Sequence, residues 1–355
     1  MRIVVNDIAA SEGGALTVLK EFYQEIIDTN DTNEWFFFLS DDYLEERHNI
    51  HIMKFPKIKK SWLKRLLFDL FYGKKVINDL SPDVYLSLQN SATIGVEAVQ
   101  IVYLHQSLPY QTEKDFSFFK KTEVKYAIYQ KIIGRIYSLL FNKSRSRIIV
   151  QTQWIKKAIQ EKLSNQIVVI PPKIKVIEKN FDLECLNKDK KISFFYPASE
   201  FVYKNHEIIY EAVDILLKEG YSNFVVNLTI DPKEKYNNTV YNYLGKISRE
   251  LVFNYYESSV LLFPSYIETY GLPLKEAKMI NSPIIASDTA FAREVLEGYE
   301  NCLFFNKNKS SELANAMKDY LNRKVKHHSK SVTRDDNYNL SILNFITNIG
   351  DKNDK

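Results

Sequence analysis

The sequence predicts an α/β protein made of two doubly wound parallel sheets in series. Three observations carry this. Apolar runs of strand length alternate with helical patterns along most of the 355 residues, the signature of repeated βαβ units. The alternation lapses over a Lys-rich stretch that follows the breaker Pro171-Pro172, then restarts. The length is too great for one compact core and suits two domains of ordinary size.

The first half opens on a strand at Arg2–Val5 and a loop of small residues, ASEGG (10–14). A helix follows, with Leu16, Leu19, Tyr23, Ile26 and Ile27 on one side. The later runs EWFFFLS (34–40), IHIMKF (50–55), DVYLSL (83–88), IVYLH (101–105), RIIVQT (147–152) and IVVI (167–170) read as strands, several of them separated by helical patterns. The second half repeats the alternation. ISFFYPA (192–198), FVVNLTI (224–230), VLLFPS (260–265), PIIAS (283–287) and CLFF (302–305) are its strands, and helices are expected near 205–218, 248–258 and 311–322. The expected organisation is a first domain at 1–172, a linker at 173–190, a second domain at 191–325 and a tail at 326–355. A helical stretch in that tail, about 338–349, can pack back across the first domain. Two such domains present a cleft between the carboxyl ends of their strands, where ligands of open α/β sheets bind.

Composition bounds the function. Hydrophobic residues make up 45% and charged residues 26%, ordinary for a soluble globular chain. A net charge of +4 does not imply nucleic acid. Cys185 and Cys302 are far apart, match no metal spacing and read as thiols in a reducing compartment. The start, MRIVVNDIAA, lacks the apolar core of a signal peptide. No apolar run reaches the roughly 18 residues of a membrane span. A cytoplasmic protein is expected.

The chemistry is sought in the loops after strands. After VLLFPS comes ETYGLPLKE (268–276), with two carboxylates eight positions apart around Gly271 and Pro273. Pro273 suits a first helical turn, so a helix is expected from about Leu272, with Glu276 on its first turn and Glu268 in the loop before it. Free backbone N–H groups there suit an anion, and Gly271 lets the backbone approach a ligand. Taken alone, a glutamate in a first turn is common, because it offsets the helix dipole by about 0.3–1 kcal/mol.

The longer run FPSYIETYGLPLKEAKMINSPIIAS (263–287) is more specific. It resembles the nucleotide-sugar signature of retaining GT-B glycosyltransferases, especially glycosyltransferase family 4 of the bacterial surface-polysaccharide type. The resemblance implies the GT-B fold, two Rossmann-like domains facing across a cleft. It implies that Glu276 accepts hydrogen bonds from the ribose hydroxyls of a nucleotide-sugar donor, and that Glu268 holds hydroxyls of the donor sugar. The amides of Tyr270, Gly271 and Leu272 would face the sugar or the diphosphate. Tyr270 stands where the family usually has phenylalanine, and Asn281-Ser282 replaces the usual Cys-Gly before Pro283.

The family's second loop corresponds to YPASEFVYKNHE (196–207). Lys204-Asn205 match its phosphate-binding lysine, and Ser199 lies in the donor-binding loop. The family's arginine is absent: Pro197-Ala198 occupies the place of Gly-Arg, as in some bacterial members. A preorganised ammonium at Lys204 would stabilise the charge that grows on a departing diphosphate. A solvated lysine near a helix start is the plain alternative. His105, at the end of IVYLH, matches a histidine that binds a donor-sugar hydroxyl in family 4. Otherwise it is a structural histidine. Gly13 and Gly14 in SEGGA (11–15) resemble the glycine-rich loop near the diphosphate or the acceptor, although a tight turn explains them as well. No Asp-x-Asp motif occurs, which fits a site without a metal or other cofactor.

The segment 54–75 holds eight Lys/Arg and one acidic residue, Asp69. Trp62, Leu63, Leu66, Leu67, Leu70 and Phe71 recur in it at helical spacing, as in a basic helix lying on an anionic membrane or an ordinary helix packed on the sheet. Segment 118–141, long and Tyr-rich, reads as core or acceptor-facing. The expected protein is a retaining, metal-independent glycosyltransferase. It would move a sugar from a GDP- or UDP-sugar to a saccharide or lipid-linked oligosaccharide acceptor, of O-antigen or capsule type by analogy, on the cytoplasmic face of the inner membrane. The rivals are another GT-B activity, such as an epimerase or a phosphorylase, and a non-catalytic GT-B partner at the membrane surface.

Overall fold

A computed structural model describes residues 1–11, 13–173, 191–236, 238–322 and 341–353. Glu12, Cys185, the expected linker beyond Lys173 and the first part of the tail lie outside the described residues. The chain divides into two compact units, Met1–Pro172 with Asn337–Lys355, and Lys173–Asp336.

The first unit is a seven-stranded sheet in the order β3-β2-β1-β4-β5-β6-β7. Its strands are β1 (Arg2–Asn6), β2 (Glu34–Leu39), β3 (Ile50–Lys54), β4 (Val84–Ser87), β5 (Val99–Leu104), β6 (Arg147–Val150) and β7 (Ile167–Val169). Every pairing is parallel, with Ile3 opposite Trp35 on one side and Val84 on the other. Parallel strands are covered on both faces, which is why these segments read as unbroken apolar runs. The helices are α1 (Gly13–Asp28), α2 (Pro56–Lys59), α3 (Trp62–Leu67), α4 (Gly73–Asn78), α5 (Val124–Ile128), α6 (Gly134–Ser144) and α7 (Gln153–Gln160). A π-helical turn, Phe68–Tyr72, joins α3 to α4, and another, Tyr129–Ile133, joins α5 to α6.

The second unit is a six-stranded parallel sheet, β10-β9-β8-β11-β12-β13. Its elements in order are β8 (Ile192–Tyr196), α8 (His206–Lys218), β9 (Phe224–Leu228), β10 (Tyr241–Tyr243), α9 (Arg249–Ser258), β11 (Val260–Phe263), α10 (Leu272–Met279), β12 (Ile284–Ser287), α11 (Ala290–Val295), β13 (Cys302–Phe305) and α12 (Ser310–Leu321). The last helix, α13 (Ile342–Asn353), belongs to the first unit. Its Leu343, Ile346 and Ile349 are buried in the core cluster that holds Leu19, Phe22 and Ile26 of α1.

In each unit the strand order reverses once, between β1 and β4 and between β8 and β11. Connections leave to opposite sides at such a switch point, and the loops there splay to form a crevice. Three sequence expectations need correction. Gly13 and Gly14 are not in a loop: α1 begins at Gly13. Glu276 is not on the first turn of α10, which holds no acidic residue, but one turn further in. Segment 54–75 is not one helix but α2, α3, a π-helical turn and the start of α4. Phe68 and Asp69 turn inward there, while Leu63, Phe71 and Tyr72 stay exposed.

Candidate active site

The second unit brings two of the expected residues into contact. After β8 the chain makes a single 3₁₀ turn, Val202–Lys204, and Asn205 takes a left-handed conformation (φ 58°) to enter α8. Asparagine tolerates this region better than most side chains. The Asn205 side-chain amide donates to the Lys307 carbonyl at 3.0 Å, and the buried Tyr196 hydroxyl donates to the Lys204 carbonyl at 2.8 Å. So anchored, the Lys204 ammonium pairs with Glu268 Oε1 in the loop after β11. Ser265 Oγ, fully buried, donates to the same oxygen at 2.7 Å. The Tyr266 amide donates to the Tyr203 carbonyl at 3.0 Å and ties the two loops together. Lys204 and Glu268 are mostly enclosed, with 17% and 16% of their side chains exposed. An ion pair so withdrawn from water needs such extra hydrogen bonds to hold its geometry.

Glu276 lies on α10 and is buried. The Tyr256 hydroxyl donates to one of its oxygens at 3.0 Å and the Arg249 guanidinium to the other at 3.2 Å, both from α9. Burial, and then the Glu276 charge, raise the Tyr256 pKa well above the usual phenol value, so the hydroxyl keeps its proton. Gly271 is left-handed (φ 86°) just before α10, and a Cβ there would stand 3.3 Å from Leu274 Cδ1. That position therefore favours glycine on both counts. Tyr270 is buried beside it, Leu272 is at the surface, and Ser199 is exposed in the loop after β8.

The first unit holds the other expected residues. His105 follows β5. Its backbone N–H donates to Asn90 Oδ1 at 2.7 Å, and Asn90 Nδ2 stands 3.0 Å from His105 Nε2. Since Oδ1 is the acceptor, Nδ2 donates, and Nε2 must accept. The assigned tautomer therefore carries its proton on Nδ1. Burial pushes the His105 pKa down to about 4, so the ring is neutral at pH 7. Gly13 and Gly14 sit in the first turn of α1, among N–H groups that have no acceptor within the helix.

Sequence reading missed Arg249, Tyr256 and Asn90. They lie 27, 20 and 15 positions from the groups they hold, and no local pattern marks them. Ser265 was visible only as part of the Pro-Ser preceding Glu268.

Residues 176–334 match the family described as Glycosyl transferases group 1. No curated protein sequence matches the chain. Among solved structures, the chain is similar to the sucrose-phosphate synthase of Thermosynechococcus elongatus, with a TM-score of 0.67 and 15% identity over 90% of each chain. It is similar to Anabaena HepE in complex with UDP and glucose, with a TM-score of 0.64 and 17% identity over 91% of this chain and 90% of that one. A lipopolysaccharide outer core galactosyltransferase, WaaB, aligns at a TM-score of 0.62 and 16% identity over 92% of both chains. The fold is GT-B, two Rossmann-like units, and the match to the group 1 family falls almost wholly on the second unit.

Proposed function

We propose that the protein is a retaining, metal-independent glycosyltransferase of the family 4 type, which moves a sugar from a GDP- or UDP-sugar to a saccharide acceptor. The observation that carries this reading is the pair of carboxylates in the group 1 domain. Glu268 is held by Lys204 and Ser265, while Glu276 is oriented by Tyr256 and Arg249, and a carboxylate can accept several hydrogen bonds at once. In the proposed reaction the bond from anomeric carbon to phosphate oxygen breaks as the acceptor oxygen bonds to the same face. The acceptor proton passes to the departing phosphate oxygen. Lys204 stabilises the charge on that leaving group, which requires it to turn from Glu268 toward the diphosphate. Glu268 then holds donor-sugar hydroxyls, and neutral His105 adds a hydrogen bond to the donor sugar. Orientation and charge stabilisation do the work, without a protein nucleophile.

The acceptor we propose is lipid-linked, of O-antigen or capsule type, met at the inner face of the membrane. Exposed Leu63, Phe71 and Tyr72 are near exposed Lys64, Lys74 and Lys75 in the sequence, and exposed Phe119 adjoins exposed Lys120 and Lys121, all in the first unit. Apolar side chains interleaved with cations suit an anionic bilayer surface. Among the described residues no helix is long and apolar enough to cross a membrane.

The test is calorimetry of GDP, UDP and their sugar conjugates in EDTA, with wild type and Glu276→Ala. The expected result is binding of one nucleotide series, weakened by the substitution. Failure of every nucleotide to bind would overturn the donor assignment and leave the non-catalytic GT-B partner as the better reading.

A further inference from the structure

In a nucleoside diphosphate the phosphates and the base leave the ribose at opposite ends. The donor site proposed above gives the phosphates to Lys204 and the ribose to Glu276, both in the second unit. Contacts pass from Lys204 to Glu268 before α10, along α10 to Glu276, and from Glu276 to Arg249 at 3.2 Å, the first residue of α9. A base beyond the ribose then meets the chain that leads into α9, which is the loop after β10, and the neighbouring loop after β9.

These two loops bring a carboxylate and a glycine together. β9 and β10 run parallel and end side by side, with Leu228 opposite Tyr243. Just past them Gly245 takes a left-handed conformation (φ 60°), and a Cβ there would stand 4.0 Å from Asp231 Oδ1. Glycine leaves the carboxylate open on that side, where a larger residue would put its side chain. Asp231 is fixed from both ends. Ile230 before it is buried, and Pro232 after it steers its backbone to extended geometry. The Asp231 side chain is exposed. The lysines of its own loop are engaged elsewhere, Lys233 with Glu200 at 2.9 Å and Lys235 with Glu207 at 3.5 Å, so among the described residues Asp231 is left without an ion-pair partner.

We propose that the donor base is guanine and that Asp231 reads it. The pairing edge of guanine carries two adjacent donors, N1–H and the N2 amino group, and a carboxylate, which only accepts, can take both at once. Uracil presents a single N3–H between two carbonyl oxygens, so the second carboxylate oxygen would face another oxygen. Uracil thus loses one hydrogen bond and adds a repulsion, and a site built to hydrogen-bond a ligand group rejects an analogue that lacks it. Lys246, exposed beside Gly245, is a cation of the kind that guanine O6 takes. A good bidentate contact discriminates between bases by about 5- to 150-fold. An exposed carboxylate belongs in the lower part of that range. The guanine assignment rests on the donor site proposed above and narrows it to GDP-sugars. Asp231 determines specificity and takes no part in the chemical step.

Calorimetry with GDP, IDP and UDP on the full chain tests the assignment. IDP keeps every part of GDP except the N2 amino group. Wild type should bind GDP at least about fivefold more tightly than IDP, and UDP more weakly still. Asp231→Ala should bring GDP to within about twofold of IDP, as expected once the bidentate contact is gone. Glu234→Ala, which removes an exposed acid of the same loop, should leave the wild-type ratio unchanged and so control for lost negative charge. A wild type that prefers UDP, or binds GDP and IDP alike, overturns the guanine assignment and spares the transferase reading. A preference for GDP that survives Asp231→Ala, or is lost equally in Glu234→Ala, removes Asp231 as its reader and ends the proposal. Binding of none of the three overturns the donor site itself.

Discussion

If Glu276 grips a ribose, replacing it by glutamine should be costly in a calculable way. A carboxylate offers about four lone-pair sites. Tyr256 donates to one oxygen at 3.0 Å and Arg249 to the other at 3.2 Å, and in the proposed complex the ribose diol donates to the same carboxylate. Glutamine keeps one oxygen and turns the other position into a donor. Arg249 and the ribose must then share a single oxygen, one ribose hydroxyl loses its acceptor, and the remaining bond loses its charge. Hydrogen bonds to charged groups contribute about 1.5–3 kcal/mol and neutral ones about 0.5–1.5. The loss should be about 2–4 kcal/mol, or roughly 30- to 1,000-fold in Kd. Tyr256→Phe is the control. It removes a donor from a buried carboxylate and should reduce stability by about 1–3 kcal/mol, yet shift nucleotide affinity less than about tenfold. Calorimetry with the ribonucleotide and its 2′-deoxy analogue separates the cases, because Glu276→Gln should erase most of the wild-type preference for the 2′-hydroxyl. Equal nucleotide affinity in wild type and Glu276→Gln, or an equal loss in Tyr256→Phe, would refute the reasoning and make Glu276 a brace between α9 and α10.

Three further outcomes are expected. Lys204→Met should lower kcat about 10²- to 10³-fold, the usual cost of losing one preorganised transition-state donor, and an unchanged kcat in a steady-state assay would remove the lysine from the mechanism. Stability should fall as pH rises above 6.5. Asp7 and Asp69 are raised from 3.8 to about 7 by burial, with Lys59 and Arg65 opposing, so their contribution is full below 3.8 and is lost as pH rises through about 7. His105 and His206 are lowered from 6.5 to about 4, so theirs is lost as pH falls and offsets the carboxyls only below 6.5. Urea unfolding between pH 6.5 and 8 should show a decline of at most about 1.4 kcal/mol per pH unit for each carboxyl, shallower in Asp69→Asn; a flat profile would contradict the burial argument. Finally, wild type should float with vesicles containing anionic lipid, and Phe119→Ser together with Lys120→Glu and Lys121→Glu should reduce this several-fold; equal flotation would exclude this face as the contact.

The strands were legible because each lies in a parallel sheet covered on both faces, where the chain must be continuously apolar. β10 was not: it is a three-residue edge strand, Tyr-Asn-Tyr, with an exposed centre. The start of α1 was hidden because glycine reads as a breaker, although a first helical turn tolerates it. The π-helical turn at 68–72 defeated the reading of 54–75, since an extra residue in a turn rotates everything after it. By spacing alone, Asp69 belonged on the wet side of a basic helix. Its burial depends on Ser91 and Thr93, more than twenty positions away. Glu268 and Glu276 were visible as a pattern, yet their partners Lys204, Arg249 and Tyr256 come from other elements, and only folding makes them neighbours.

The position of α13 has a consequence for synthesis. Leu343, Ile346 and Ile349 complete the cluster around α1, so the first unit to leave the ribosome is the last to be finished. Between Pro172 and Leu343 the ribosome must build an entire second unit. At about 5–20 residues per second that takes roughly ten to thirty seconds, during which α1 shows bare apolar surface to solvent. A nascent chain of this design has a long window for capture by chaperones. A premature stop that spares every proposed site residue would leave that window permanently open.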